Sequence, residues 1–396
     1  MEEASNGVTS GARNGARDGS GNGQSHRNSN GHGDGHSNGN GKSNGNGNGQ
    51  SHGIVKGLSG NKSMSGKGIS IDLGTANTVV WDSENGCLFN EPTMMALSFN
   101  GGRHSEVIGI GHAAEELVGR THEGVEVIRP LRDGVITDLE TTRRFLREVL
   151  SGIASTWLQR RRLNVAIGVP AGATPLERRA LLEAAEEAGI GRAHLLPEPV
   201  CGAVGCGVDP LQPRAHLVVD IGAGTSEIAA FGAGGLLTYR STPLGGDEMT
   251  AALLQYIRHE HQLVVGELQA EQAKIRAFSD PSPSMVVEGR DAVTGKARVV
   301  NLSPEEVSEA VAPVTQEIIA VLTGCLDDLP PQSVSDIMAE GVILVGGGSL
   351  VPGFAKRVED AFGVAALPAE DPLTRVAEGG ARCLANPETV EAYSFD

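Results

Sequence analysis

Two short stretches carry the same chemistry-bearing pattern. GISIDLGTANTVVW at 68–81 and HLVVDIGAGTSEIAAF at 216–231 each run an aliphatic segment into Asp, an aliphatic residue and Gly, followed by small and hydroxylated residues. Asp72 and Asp220 are 148 positions apart, so the pattern is an internal duplication. Each copy is read as a strand, a tight Gly turn and a returning strand. Such a turn gathers backbone N–H groups on one concave surface, where anions sit well. Two facing copies would cradle β- and γ-phosphates, with Gly74, Thr75, Ala76 and Asn77 on one side and Gly222, Ala223, Gly224 and Thr225 on the other. Asp72 and Asp220 would hold Mg²⁺ through retained waters, because Mg²⁺ dehydrates reluctantly. A single copy could equally be an ordinary hairpin turn, since Asp and Gly favour turns; the repeat weights the pair toward phosphate.

A third segment, GVILVGGGSLVPG at 341–353, runs four aliphatic residues into Gly346, Gly347 and Gly348, with a helix expected from Pro352 or Gly353. Glycines there let the backbone approach a flat ring or a ribose without side-chain collision, near a helix N-terminus. Gly-rich strand-to-helix turns are common in α/β proteins. Beside the duplicated hairpin, this one completes a phosphate, phosphate and adenosine set.

The elements that must position these groups alternate between strand-like runs and helical periodicity, as an α/β architecture requires. A short helix is predicted over 113–118 and a longer one over 141–150, with Phe145, Leu146, Val149 and Leu150 on one stripe. VAIGVP at 165–170 reads as a buried strand ending at Pro170. PLERRALLEAAEEA at 175–188 reads as a helix, with Pro in its first turn, charge pairs at helical spacing and Gly189 as the stop. Further helices are expected from Asp247 and over about 304–326.

Composition divides the chain in two. Residues 1–67 are Gly, Asn and Ser with almost no large apolar side chain, and no core forms from that. The tail's four His (His26, His32, His36, His52) are irregularly spaced and read as solvated spacer rather than a metal site. The formal charge of −17 falls as +3 on this tail and −20 on the remaining 329 residues. So acidic a body argues against nucleic acid as the main partner. The five Cys form no CxxC pair and read as reduced thiols of a cytoplasmic protein. No stretch of 18 consecutive apolar residues occurs, nor the apolar core of a signal peptide, so neither a membrane span nor export by that route is expected.

The resemblance then becomes specific. DLGTANT (72–78), NEPT (90–93), IRPLRDGVITD (128–138), VPAGATPLERRALLEAAEEAG (169–189), EPVCGAVG (198–205), DIGAGTSE (220–227), GGDE (245–248), AEQAKI (270–275), GRDAVTG (289–295), GGGSLVPG (346–353) and EDPLTRVA (370–377) resemble the bacterial actin homologue MreB and its Mbl paralogues, over nearly all of 68–387. The resemblance implies an actin-like ATPase fold: α/β, two duplicated domains around a nucleotide cleft, each with a smaller subdomain. The domains expected are 68–213 plus 368–396, with a small subdomain at about 93–127, and 214–367, with a small subdomain at about 248–309. It implies ATP and Mg²⁺ as ligands, with hydrolysis coupled to polymerisation. Glu198 resembles the carboxylate that positions the attacking water, and Thr225 the hydroxyl that assists it. Glu271 and Lys274 resemble the pair on the ribose and adenine side, and Gly346 to Gly348 the adenosine loop. Hydrolysis of this kind needs a carboxylate, a metal and backbone donors rather than a covalent nucleophile. Glu198 also fits a carboxylate placed at a helix start, since Pro199 follows it as a first-turn residue would.

Three positions depart from the family pattern: Pro197 where a second Glu is usual, Ala223 for a Gly, and Thr250 for a common Asp. The Cβ of Ala223 is expected to crowd the phosphate or restrict a positive φ.

The resemblance also implies self-association into filaments at the inner face of the cell membrane, with membrane-bound cell-wall synthesis proteins as partners. GIASTWLQRRR (152–162) lies where the family carries its hydrophobic insertion loop, with Trp157 and Leu158 beside Arg160, Arg161 and Arg162. Burying both apolar side chains gives roughly 3–6 kcal/mol at most, and each Arg near an anionic leaflet adds about 1 kcal/mol. One monomer is therefore held poorly once association costs are subtracted, and a filament gains by avidity. The other reading has Ile153 and Trp157 extending the preceding helix's apolar stripe into the core. The alternative class is a non-polymerising ATP-dependent enzyme or chaperone on the same fold. A chaperone would need a substrate domain where only about ten residues follow the last match, and a sugar kinase would need a catalytic Asp that the sequence does not reveal.

Overall fold

The computed structural model describes residues 68–99, 105–132, 134–154, 156–279 and 284–395; the Gly/Asn/Ser tail lies outside them. Two five-stranded sheets dominate. In the first, Ile69–Leu73 pairs antiparallel with Asn77–Asp82, which pairs antiparallel with Gly86–Pro92. On its other edge Ile69–Leu73 runs parallel to Asn164–Val169, and that strand parallel to Arg192–Pro197. In the second, His216–Ile221 pairs antiparallel with Ser226–Gly232, then Gly235–Thr242, and runs parallel to Val342–Val345, then Ala366–Pro368. The strand order is the same in both, so the duplication read from one hairpin extends to a whole sheet. Strands 164–169, 216–221 and 342–345 are near-continuous aliphatic runs and are buried almost throughout, as parallel strands covered on both faces must be.

A three-stranded sheet follows each antiparallel meander. One has Met95–Phe99 between Ser105–Ile110 and Val125–Ile128; the other has Met285–Asp291 between Leu263–Val264 and Ala297–Leu302.

Helix Leu139–Ile153 extends the expected span by two to three residues at each end, because the Asp138 carboxylate caps the Thr141 N–H. Phe145, Leu146, Val149 and Leu150 are buried, as the stripe requires. Helix Pro175–Ala188 begins in a Thr174/Glu177 capping box and ends at Gly189 with φ 104°, the left-handed stop that glycine adopts without a Cβ penalty. The short helix expected at 113–118 is instead His112–Glu115, followed by turns. Helix Pro304–Asp327 is long and apolar enough to cross a membrane by length and composition. Val307, Val311, Ile318, Leu322 and Cys325 are nonetheless buried within the protein's own core, which makes it a core helix.

Helix Glu198–Gly205 is clamped against Arg375–Leu384 by missing side chains. A Cβ on Gly379 would stand 1.7 Å from the Cys201 carbonyl oxygen, and one on Gly205 2.2 Å from the Arg375 carbonyl oxygen. A Cβ on Gly380 would meet Ser70 Oγ at 2.2 Å. The helix that begins at Glu198 therefore rests on a close backbone contact that no larger residue could make.

Candidate functional site

The last bridged pair of the first hairpin is Leu73–Thr78, leaving Gly74, Thr75, Ala76 and Asn77 at the turn; in the second it is Ile221–Ser226, leaving Gly222, Ala223, Gly224 and Thr225. Both four-residue turns face one cavity of about 480 Å³, which Asp72, Glu198, Asp220, Glu271, Lys274, Gly346, Gly347 and Gly348 also line. The volume suits a nucleotide-sized ligand. The turns share local geometry: a Cβ on Gly74 would lie 2.7 Å from the Asn77 carbonyl oxygen, and one on Gly222 3.2 Å from that of Thr225. They also meet at one residue. Gly134 donates its N–H to Thr75 Oγ1 at 2.9 Å, and a Cβ on Gly134, where φ is 73°, would be 3.0 Å from Thr225 Cγ2.

The second turn is braced from behind by helix Gly246–Glu260. Gly246 N–H donates to the Gly222 carbonyl at 3.0 Å and Asp247 N–H to that of Ala223 at 2.8 Å. Ala223 does not occupy the left-handed region, so the expected φ conflict does not arise and its methyl group adds no backbone strain.

Of the carboxylates that line the cavity, Asp72, Asp220, Glu198 and Glu227 have raised proton affinities. Burial pushes the Asp72 carboxyl up to about 7, with repulsion from Asp220 adding to it, and burial alone pushes Asp220 up to about 6. Glu198 is raised well above the ordinary carboxylate range by burial and by the charges of Asp72, Glu227 and Asp220. Glu227 is pushed up to about 7 by burial, against the stabilising N–H of Ala171. Clustered like charges out of water favour a bound cation. Among the described residues, no group of three or more His, Cys, Asp or Glu converges as a metal-ligand set. The fit is to a hydrated Mg²⁺, which takes one or two carboxylates and completes its shell with water and phosphate oxygens.

Beside the second hairpin, the three glycines are dictated in part by it. A Cβ on Gly346, where φ is 77°, would stand 2.4 Å from Asp220 Oδ1, and one on Gly348 2.2 Å from Ile221 Cγ2. The expected helix after them starts at Phe354, behind a 3₁₀ turn at Gly347–Leu350. Glu271 and Lys274 lie together on helix Glu267–Ser279. Lys274 is buried, and its ammonium lies 2.7 Å from Glu271 Oε2, 2.6 Å from the Gly246 carbonyl and 2.9 Å from Thr250 Oγ1. The Thr250 hydroxyl lies within hydrogen-bond reach of both Glu271 and the Gly246 carbonyl, either of which can take its one hydrogen. The hydroxyl at the unusual position thus completes a buried polar network.

Trp157 and Leu158 lie away from the cavity, in the short helix Trp157–Arg160 capped by Thr156. They are 56 % and 64 % exposed, while Ile153 packs on the core. The apolar stripe therefore ends before Trp157, which instead carries the Arg161 guanidinium 5.2 Å from its ring centre.

Sequence reasoning passed over Gly134, Ala171 and Glu227. The signal for Glu227 was present: it stands seven residues after Asp220, as Val79 stands after Asp72.

Residues 66–392 match the MreB/Mbl protein family. The chain belongs to that family. It is 34 % identical over 340 residues to the cell shape-determining protein MreB of Escherichia coli K12, covering 85 % of this chain and 97 % of that one. It is 36 % identical over 320 residues to the cell shape-determining protein Mbl of Bacillus subtilis, covering 80 % and 95 %. The crystal structure of MreB 5 of Spiroplasma citri bound to AMPPNP superimposes with a TM-score of 0.73 at 32 % identity, covering 80 % of this chain and 95 % of that one. This MreB/Mbl chain therefore has the actin-like fold.

Proposed function

We propose that this MreB/Mbl chain binds ATP with Mg²⁺ in the acid-lined cavity, hydrolyses it, and assembles into cytoplasmic filaments that determine cell shape. The single observation carrying the reading is the convergence of both Asp-aliphatic-Gly turns, the triple glycine and the carboxylates of Asp72, Glu198, Asp220 and Glu227 on one nucleotide-sized cavity.

In this reading the turn 74–77 and the turn 222–225 hold the β- and γ-phosphates through backbone N–H groups. Gly346 to Gly348 pass beside the adenosine, while Glu271 and Lys274 brace the second turn and border the ribose side. Asp72 and Asp220 would hold Mg²⁺, which when bound neutralises charge developing on the phosphates. Glu198 orients the attacking water, with Thr225 assisting. The chain divides into 68–213 plus 368–396 and 214–367, with small subdomains near 93–127 and 248–309. The matching strand order and the packing of Gly380 on Ser70 support that division.

Membrane attachment at the inner face of the cell membrane, alongside membrane-bound cell-wall synthesis proteins, belongs to the same reading. It is supported by the exposed Trp157 and Leu158 next to Arg160, Arg161 and Arg162. The alternative, a non-polymerising ATPase of the same fold, differs in one outcome. ATP-dependent pelleting on ultracentrifugation is expected for the parent protein, and Glu198→Ala should still bind ATP while hydrolysing it about 10²-fold more slowly. A protein that turns over ATP without pelleting would establish the alternative.

A further inference from the structure

Helix N-termini repel cations, yet one guanidinium stands before two of them. Arg129 follows strand Val125–Ile128, in the part of the chain that carries the first Gly-rich turn. Its Nη2 lies 3.9 Å from Glu267 Oε1, an ion pair too long for a hydrogen bond. Glu267 is the first residue of helix Glu267–Ser279. The Arg129 charge also acts on Asp247, in the first turn of helix Gly246–Glu260. Burial raises the proton affinity of the Asp247 carboxyl, and Arg129 opposes that rise more than Lys274 does. Two helix-start carboxylates therefore hold a cation that the helix ends by themselves would exclude.

Both helices serve the nucleotide site. Helix Gly246–Glu260 grips the second turn through the Gly246 and Asp247 N–H groups, and helix Glu267–Ser279 carries Glu271 and Lys274. Arg129 is not among the residues lining the cavity, so it acts on a ligand only through these helices. Its backbone is fixed from behind: the carbonyl of the next residue, Pro130, accepts the Thr137 N–H at 3.1 Å and the Thr137 hydroxyl at 2.8 Å. Further along, Gly134 packs on Thr225 of the second turn. The stretch that begins at Arg129 thus meets the 214–367 part of the chain at two points, one ionic and one by close packing.

We propose that Arg129 is a positioning residue for nucleotide retention: paired with Glu267 and Asp247, it holds the second turn and the Glu271–Lys274 pair against the first turn while nucleotide is bound. This rests on the nucleotide-binding reading above. A contact made only when two parts are close stabilises the closed arrangement alone. Release needs opening, whereas hydrolysis proceeds in the closed arrangement, so losing the contact speeds release and leaves the chemical step as it was. An exposed ion pair contributes modestly and is screened by salt, which suits a latch that must open at every turnover.

The test measures release of a fluorescent ADP analogue from the full chain by stopped flow, with single-turnover ATP hydrolysis and melting temperature read on the same preparations. Release should be about two- to fivefold faster in Arg129→Gln than in the parent. The effect should be smaller in Glu267→Gln, which leaves Asp247 in place, and the double variant should be no faster than Arg129→Gln. Arg129→Lys keeps the charge and should release near the parental rate. Raising salt from about 50 mM to about 500 mM should bring the parent to the Arg129→Gln rate, while hydrolysis and melting temperature hold in every variant. Parental release in Arg129→Gln would overturn this proposal alone. So would single effects that multiply in the double variant, or faster release accompanied by slowed hydrolysis and a lowered melting temperature, which marks a structural role. A parent chain that does not bind the analogue would sink the nucleotide reading and this residue's role with it.

Discussion

The Lys274 ammonium donates to the Gly246 carbonyl oxygen at 2.6 Å, and the Gly246 N–H in turn holds the Gly222 carbonyl. One buried cation thereby fixes the height of the second Gly-rich turn. Lys274→Met would leave Glu271 and the Gly246 carbonyl facing a thioether. Removing one partner of a buried pair costs about 3–5 kcal/mol, and the partial exposure of Glu271 moves the expected loss to the lower end or below. Thermal denaturation should register it, and ATP affinity should fall with it. Unchanged affinity in a destabilised variant would separate the brace from the binding loop.

Protonation of Asp72 and Asp220 gives a pH dependence of definite sign. Their carboxyls titrate at about 7 and about 6 in the fold, against an ordinary 3.8. Between about pH 4 and pH 7 the folded protein therefore holds more protons than the unfolded chain, so stability falls as pH rises through that window. Without nucleotide or metal, the melting temperature should be lower at pH 7.5 than at pH 5.5. Mg²⁺ and ATP together should narrow the gap, and Asp220→Asn should raise the melting temperature at pH 7.5. Equal melting temperatures at both pH values in the ligand-free protein would contradict the close packing of these two acids.

The small-residue clamp on the Glu198 helix makes a separate prediction. Gly379→Val places a branched side chain where even a Cβ would stand 1.7 Å from a backbone oxygen. Overpacking costs about 1–3 kcal/mol and must displace the helix that carries Glu198. Hydrolysis should therefore drop by a larger factor than nucleotide affinity does, a difference that turnover and binding measurements on the same preparation would reveal.

For the exposed pair at 157 and 158, the double change Trp157→Ala and Leu158→Ala should leave stability within about 0.5 kcal/mol, as surface substitutions do. Co-sedimentation with anionic vesicles should be lost. Retained vesicle binding by the folded variant would remove this helix from the membrane reading.

Much of this molecule was legible in its sequence because short-range rules fix it. The hairpins follow from aliphatic strands broken by Asp, Gly and hydroxylated residues, and helix 175–188 from its capping box and terminal glycine. All of the residues expected to bind nucleotide or metal, or to act on the phosphate, line one cavity; most sit at a strand end, a turn or a helix start whose position the strand register sets. Other features needed the third dimension. That Trp157 points away from the core while Ile153 packs on it depends on where the helix ends, which periodicity alone leaves open. Whether Ala223 is strained depends on a φ value set by its contacts with helix Gly246–Glu260. That the Glu227 carboxylate is held by the Ala171 N–H depends on a strand of one sheet meeting the loop of the other, 56 residues away in the chain. Local sequence fixes which groups a turn presents; packing of distant segments fixes which of those groups meet in one cavity.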